Sequence, residues 1–166
     1  MKDVIRMKIL IDGDACSVIG LTEMVARSAN IPCHIYCDSS RVIESDYSEI
    51  HIVGTARDAT DFAIINKCDN NDIVITNDSG LAAMVLAKKG YAIKSNGIEY
   101  DKTNINQFLN RRYVNAQTRR KTNRDCVKGQ LYVHNVAAPH KNYADVLSDK
   151  LNSICTPARE AVTVNG

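Results

Sequence analysis

The sequence predicts an α/β fold: a three-layer α/β/α sandwich around a parallel sheet ordered 3-2-1-4-5, with further helices toward the C-terminus. Three observations lead there. Short apolar runs alternate with stretches of helical spacing, the texture of β-α-β units. The runs are continuous rather than alternating, as strands covered on both faces require. Aspartates follow two of the runs directly, at Asp12 and Asp78, and the order 3-2-1-4-5 sets them at neighbouring strand ends, with the switch point between the first and fourth strands.

The first strand is Ile9, Leu10 and Ile11, ending in Asp12-Gly13-Asp14. Residues 18–30 carry Val18, Leu21, Val25 and Ala29 at helical spacing, and Asn30 with Pro32 stops the helix. Residues 33–37 form a second strand and 49–53 a third, joined by a polar, serine-containing surface loop over 38–48. A short helix follows over 59–67, with Phe62, Ile64 and Ile65 expected on its buried side. After the turn at Asn70-Asn71-Asp72 come a fourth strand at 73–76 and a helix through Leu81 and Val85. Lys88-Lys89-Gly90 ends that helix, with cations in its last turn and glycine at its exit. Residues 91–94 make a fifth strand, followed by a turn at Ser95-Asn96-Gly97. Thr103 is expected to cap a helix over 104–117 that buries Ile105, Phe108 and Leu109. Residues 118–130 are basic and aperiodic and read as a mobile surface loop. An amphipathic helix over 142–154 carries Tyr143, Val146, Leu147, Leu151 and Ile154. The expected organisation is one domain over 1–155 and a loose tail over 156–166.

At 166 residues the chain is long enough to bury a full core, and 45% hydrophobic with 24% charged residues is ordinary for a globular protein. No apolar run approaches the ~20 residues needed to span a bilayer, so no membrane partner is expected. Met1 to Arg6 has mixed charge and no apolar core, so no signal peptide is expected and the cytoplasm is the default location. The cysteines Cys16, Cys33, Cys37, Cys68, Cys126 and Cys155 contain no C-x-x-C pair, which favours structural thiols over zinc or disulfides. His34, His51, His134 and His140 show no ligand spacing and are expected at surface or satisfied core positions.

Chemistry is suggested by the carboxylates. Asp12 and Asp14 are two apart at a strand end, so both could face one small volume. Like charges held close repel unless a cation sits between them, and that suggests a divalent metal. A turn with a helix cap explains the same residues equally well. Asp58 and Asp61 sit three apart at a helix start, and Asp78 opens another helix; capping and the helix dipole favour aspartate in all three places. Taken together, they gather carboxylates at two strand ends and on an intervening helix. Mg²⁺ and Mn²⁺ bind such sets, and a pair of these ions can drive phosphodiester hydrolysis. Thr76 at the same strand end could hydrogen-bond a water or phosphate. Ser79 and Gly80 begin a helix whose free N–H groups could hold a phosphate.

The segments I-L-I-D-G-D-A-C, D-A-T-D, D-I-V-I-T-N-D-S-G-L-A and N-G-I-E-Y-D-K-T-N-I resemble the YaiI/YqxD family of uncharacterised bacterial proteins, over roughly residues 8–112. The resemblance implies a PIN-like fold with a Mg²⁺- or Mn²⁺-dependent nuclease site. Carried over by position, its catalytic and metal-binding residues would be Asp12, Asp14, Asp58, Asp61 and Asp78.

Between Arg111 and Lys128 seven cations (Arg111, Arg112, Arg119, Arg120, Lys121, Arg124, Lys128) face one acid, Asp125. That local +6 leaves a net −4 for the rest of a chain whose total is +2. Such asymmetry suits a phosphate-binding surface, with Tyr113 and Tyr132 available to stack on bases. A solvated helix end would also carry these charges. The expected substrate is nucleic acid, RNA ahead of DNA. Two other readings remain: a phosphatase like the haloacid dehalogenases, with Asp12 as nucleophile, Asp14 as acid/base and Thr76 on the phosphate, and a non-catalytic nucleic-acid-binding protein.

Overall fold

The computed structural model describes residues 7–122 and 142–160, without the side chains of 121–122 and 156–160. Its order is β1 (Ile9–Asp12), α1 (Ile19–Ala29), β2 (Cys33–Asp38), β3 (Glu49–Val53), α2 (Ala59–Lys67), β4 (Ile73–Ile75), α3 (Ser79–Ala87), β5 (Tyr91–Ile93), β6 (Glu99–Tyr100), α4 (Ile105–Thr122) and α5 (Tyr143–Glu160). The six strands form one sheet ordered β3-β2-β1-β4-β5-β6, parallel from β3 to β5. The expected order is present, with one strand added. β6 pairs antiparallel to β5 through Ala92 and Tyr100, after a turn in which Gly97 takes φ 86°. Two residues are too few to leave a periodic signal.

The pleat divides the core. Ile9, Ile11, Ile35, Ile73, Ile75 and Ile93 face α1 and α5, meeting Val25, Ala26, Tyr143, Leu147 and Leu151. Leu10, Tyr36, Val74 and Ala92 face the opposite layer, meeting Ile64 of α2 and Leu81, Ala82 and Val85 of α3, with Ile105 and Phe108 of α4 packed alongside. Helices on both faces leave every strand residue of β1 and β4 buried, which explains their uninterrupted apolar runs.

Several local expectations differ. Phe62 is 59% exposed rather than buried, because Thr60 and Ile64, one helical turn apart, form the inward stripe of α2 and Phe62 lies between them on the other side. In α1 the buried place next to Val25 belongs to Thr22 and not Leu21. The Thr22 hydroxyl is satisfied by the Val18 carbonyl at 2.8 Å and the Tyr143 hydroxyl at 2.7 Å. Ile105, Phe108 and Leu109 are half-buried. Asp101, not Thr103, organises the start of α4: its carboxylate accepts the N–H groups of Thr103 at 2.7 Å and Asn104 at 2.9 Å.

α4 continues to Thr122, through the stretch expected to be loop. Gln, Arg and Lys are strong helix formers, and a helix exposed from Asn110 to Arg120 needs no apolar period. The rest of that expected loop, 123–130, lies outside the described residues. α5 likewise runs to Glu160, into the expected tail, whose final residues 161–166 are not described. Among the described residues no helix is long and apolar enough to cross a membrane.

Candidate active site

The parallel strands all end on one rim, and acids stand at or just beyond the ends of the three central ones. β1 ends in Asp12, its neighbour β2 ends in Asp38, and Asp78 lies just beyond β4, the other neighbour of β1. Gly13 holds the turn after β1 tightly against β2. Its N–H donates to the Tyr36 carbonyl at 2.8 Å, and a Cβ there would stand 2.9 Å from that oxygen and 3.0 Å from Ile35 Cγ2. Glycine is therefore required by close approach.

Asp12 is buried, and Oδ2 accepts the Thr76 hydroxyl at 2.9 Å. Burial raises its pKa, partly offset by that hydrogen bond, with Asp14 and Asp78 pushing it further up. Asp14 lies in the turn and not in the strand, so its orientation does not follow from strand alternation. Its two oxygens accept the Asp38 N–H at 3.0 Å and the Thr60 hydroxyl at 2.6 Å, bridging β2 to α2. Asp58 precedes α2 in the left-handed conformation, φ 61°, and its side chain makes no cap hydrogen bond. Asp61 follows in the first turn of α2. Asp78 does cap α3: Oδ1 accepts from the N–H groups of Gly80 at 2.6 Å and Leu81 at 3.3 Å. Those groups are consequently not free to hold a phosphate, contrary to the expectation from sequence.

These side chains line a cleft of ≈ 340 Å³ that contains Asp12, Asp14, Asp38, Asp58, Asp61 and Asp78. Burial pushes Asp61 up to about 6, reinforced by Asp78, Asp12 and Asp58 and opposed by Arg112. Such crowding of carboxylates offers only hard oxygen donors.

A second cleft of ≈ 470 Å³ adjoins it, sharing Arg57 and Asp78, and its cations are Arg57, Lys94, Arg111, Arg112 and Arg119. Phe108, Arg111, Arg112, Asn115, Ala116 and Arg119 recur every three or four residues, so one face of α4 forms a wall. Tyr100 lines the same cleft; its buried hydroxyl has no hydrogen-bond partner among the described residues. Burial lowers the pKa of Lys94, assisted by Arg111.

The five aspartates singled out from sequence thus meet in one cleft, and Ser79, Arg111, Arg112 and Arg119 meet in the other. Thr76 supports Asp12 from below. Arg120 is exposed and lies outside the cleft lining. Lys121 lies in α4 with its side chain undescribed, and Arg124 lies outside the described residues. Sequence reasoning missed Asp38, Arg57, Lys94 and Tyr100. Asp38 closes a strand beside β1, so the criterion that selected Asp12 also applied to it. Lys94 directly follows β5, but neither it nor Arg57 belongs to a charge cluster in sequence.

Cys16, Cys33, Cys37 and Cys68 are buried free thiols, and burial pushes Cys16 up to about 12 and Cys33 and Cys68 up to about 11. Inert structural thiols were expected there. His34 and His51 are half-buried and lie 3.1 Å apart, nitrogen to nitrogen, and their ring nitrogens converge with Glu49, a grouping that no spacing in the sequence showed. His134 and His140 lie outside the described residues.

Residues 10–144 match the family described as "Uncharacterized BCR, YaiI/YqxD family". A "UPF0178 protein" of Clostridium acetobutylicum is 42% identical over 123 residues, covering 74% of this chain and 83% of its own. Similar proteins from Clostridium kluyveri and Lachnoclostridium phytofermentans are 42% and 44% identical over 114 residues, covering 69% of this chain and 75% and 76% of theirs. No solved structure matches the chain.

Proposed function

The chain belongs to the YaiI/YqxD family, and we propose that it is a Mg²⁺- or Mn²⁺-dependent nuclease that hydrolyses phosphodiester bonds in RNA. The observation that carries this reading is the pairing of an acidic cleft with a basic one through Arg57 and Asp78. A nuclease needs both at once: oxygen donors for a hard cation and cations for the phosphates on either side of the reacting bond.

The residues fit such a cation. Asp12 and Asp61 have raised pKa values because each is partly removed from water among other carboxylates, a repulsion that a divalent ion relieves. Asp12, Asp14, Asp38, Asp58, Asp61 and Asp78 would hold it. When bound, the ion supplies Lewis-acid chemistry that activates a water and stabilises the leaving oxygen. The chain's own groups do the rest. The Thr76 hydroxyl fixes the rotamer of Asp12, and Thr60 with the Asp38 N–H fixes Asp14. Arg57, Lys94, Arg111, Arg112 and Arg119 bind the phosphodiester backbone.

A haloacid-dehalogenase-like phosphatase fits less well. It needs Asp14 as a mobile acid/base, whereas both Asp14 oxygens already accept hydrogen bonds.

The test is cleavage of single-stranded RNA by the purified protein in Mn²⁺ or Mg²⁺ and in EDTA, with Asp12→Asn prepared in parallel. Cleavage should need the cation and disappear in the variant while RNA affinity is nearly retained. Equal cleavage by both proteins would make the activity a contaminant's. Metal-independent RNA binding without cleavage would leave a binding protein.

A further inference from the structure

The opposite end of β2 carries a different donor set. His34 and Glu49 are register partners on β2 and β3, and His51 is the partner of Tyr36, one pleat repeat further on. All three side chains therefore project from the same face of a two-stranded ribbon. His34 Nδ1 lies 3.1 Å from His51 Nε2 and 3.6 Å from Glu49 Oε2, and His51 Nε2 lies 3.5 Å from Glu49 Oε1.

We propose that His34, Glu49 and His51 form a second cation site, for a first-row transition metal of which Zn²⁺ is the representative. Donors on a tetrahedral Zn²⁺ with bonds of roughly 2.0–2.1 Å stand roughly 3.3 Å apart, and the three separations bracket that value. Two imidazoles with one carboxylate match the softness of Zn²⁺, Fe²⁺, Ni²⁺ or Cu²⁺ rather than Mg²⁺. The ring of His51 is held by Tyr36, stacked at 4.5 Å between centroids and 11° between planes, so its donor is pre-positioned. The nearby cation, Lys8, is already paired with Asp69 at 2.9 Å and Asp72 at 2.6 Å. The His34 and His51 side chains keep 22% and 29% of their exposure and Glu49 67%, so solvent reaches the site and a fourth position stays open to water.

This site is separate from the acidic cleft. Along β2, Asp38 is about 13 Å from His34 and about 7 Å from Tyr36, the register partner of His51, at the usual strand rise of about 3.3 Å per residue. The two sites also differ in donor type, two imidazoles with one carboxylate here and carboxylates alone there, so excess Mg²⁺ competes for the acidic cleft and not for this site.

Binding of Zn²⁺ to the full chain, by competition with a chromophoric chelator, tests the assignment. The wild type should bind with an affinity that His51→Gln and Glu49→Gln each lower on the order of tenfold or more, since even the supporting partners of metal ligands contribute that much. With Mg²⁺ in excess to fill the acidic cleft throughout, Asp12→Asn should leave this Zn²⁺ affinity unchanged. Glu49 projects largely into water, so Glu49→Gln keeps the fold if His51→Gln does not. Co²⁺ in place of Zn²⁺ should give visible ligand-field bands without a thiolate charge-transfer band. Equal Zn²⁺ affinity in the wild type and Glu49→Gln would overturn the proposal, leaving a simple histidine–histidine hydrogen bond. A thiolate band lost with Cys155→Ser would do the same.

Discussion

Arg112 Nη1 donates to Asp78 Oδ1 at 2.7 Å, tying the basic wall of α4 to the acidic rim of the sheet. The same oxygen caps α3 through the Gly80 and Leu81 N–H groups, so one carboxylate closes a helix and fixes an arginine. The arrangement depends on the absence of a side chain at Gly80, where a Cβ would stand 2.3 Å from Arg112 Nη1. The same Cβ would stand 3.0 Å from Asp78 Oδ1, so Gly80→Ala should displace the guanidinium and shift the capping carboxylate by a few tenths of an ångström. Stability should change by less than about 1 kcal/mol, because the exposed ion pair is worth little and alanine favours helix. RNA affinity should fall several-fold in filter binding. An unchanged affinity would mean that Arg112 does not act through this position.

The pH dependence of the metal-free protein has a definite sign. Asp61 is raised from 3.8 to about 6, so between those values the folded state holds a proton that the unfolded chain has released. Its contribution to stability therefore falls as pH rises through that window and stays lower above it. Asp12 shifts in the same direction. Asp61→Asn removes the effect and should raise the melting temperature at pH 7, while differing little from wild type near pH 4. Solvent screening at this half-buried group limits the gain to about 1 kcal/mol, or roughly 2–4 °C for a chain of this size. Saturating Mn²⁺ should stabilise the wild type more than the variant. A melting difference between the two proteins that does not grow from pH 4 to pH 7 would count against a crowded acidic cleft.

What the sequence made legible follows the physics of each signal. Continuous apolar runs such as Ile9 to Ile11 and Ile73 to Ile75 are imposed by burial on two faces, and they made the parallel sheet legible. Aspartates at strand ends were visible because a charge directly after such a run stands out, although a turn or a helix cap, which Asp78 does make, accounts for the same residue type. The long basic helix was not legible beyond Gln117, since a helix exposed all round lacks the apolar stripe on which periodicity depends. Nor was the meeting of His34, Glu49 and His51. Their convergence comes from the register of β2 against β3, which no spacing along one strand encodes. Asp58 shows the converse case: its place before a helix suggested a cap, but its backbone is left-handed rather than extended and its carboxylate makes no cap hydrogen bond.

Arg119 and Arg120 are adjacent in sequence and equal in charge, and the fold separates them. Arg119 lines the basic cleft together with Arg112 and Asn115, whereas Arg120 is one helical step further round and outside the lining. A charge cluster counted along the chain treats the two alike. If RNA lies across the cleft, Arg119→Ala removes a phosphate contact and the counterion displacement that accompanies it. The slope of log affinity against log salt should then fall by about one unit, on single strands somewhat less. Arg120→Ala should leave that slope nearly unchanged and weaken binding only through a smaller long-range field, screened within about 10 Å at 0.1 M salt. Binding isotherms for one oligonucleotide at several salt concentrations, on the wild type and both variants, give the comparison. Equal slope changes for the two variants would show that RNA is held by diffuse charge on α4 and not in the cleft.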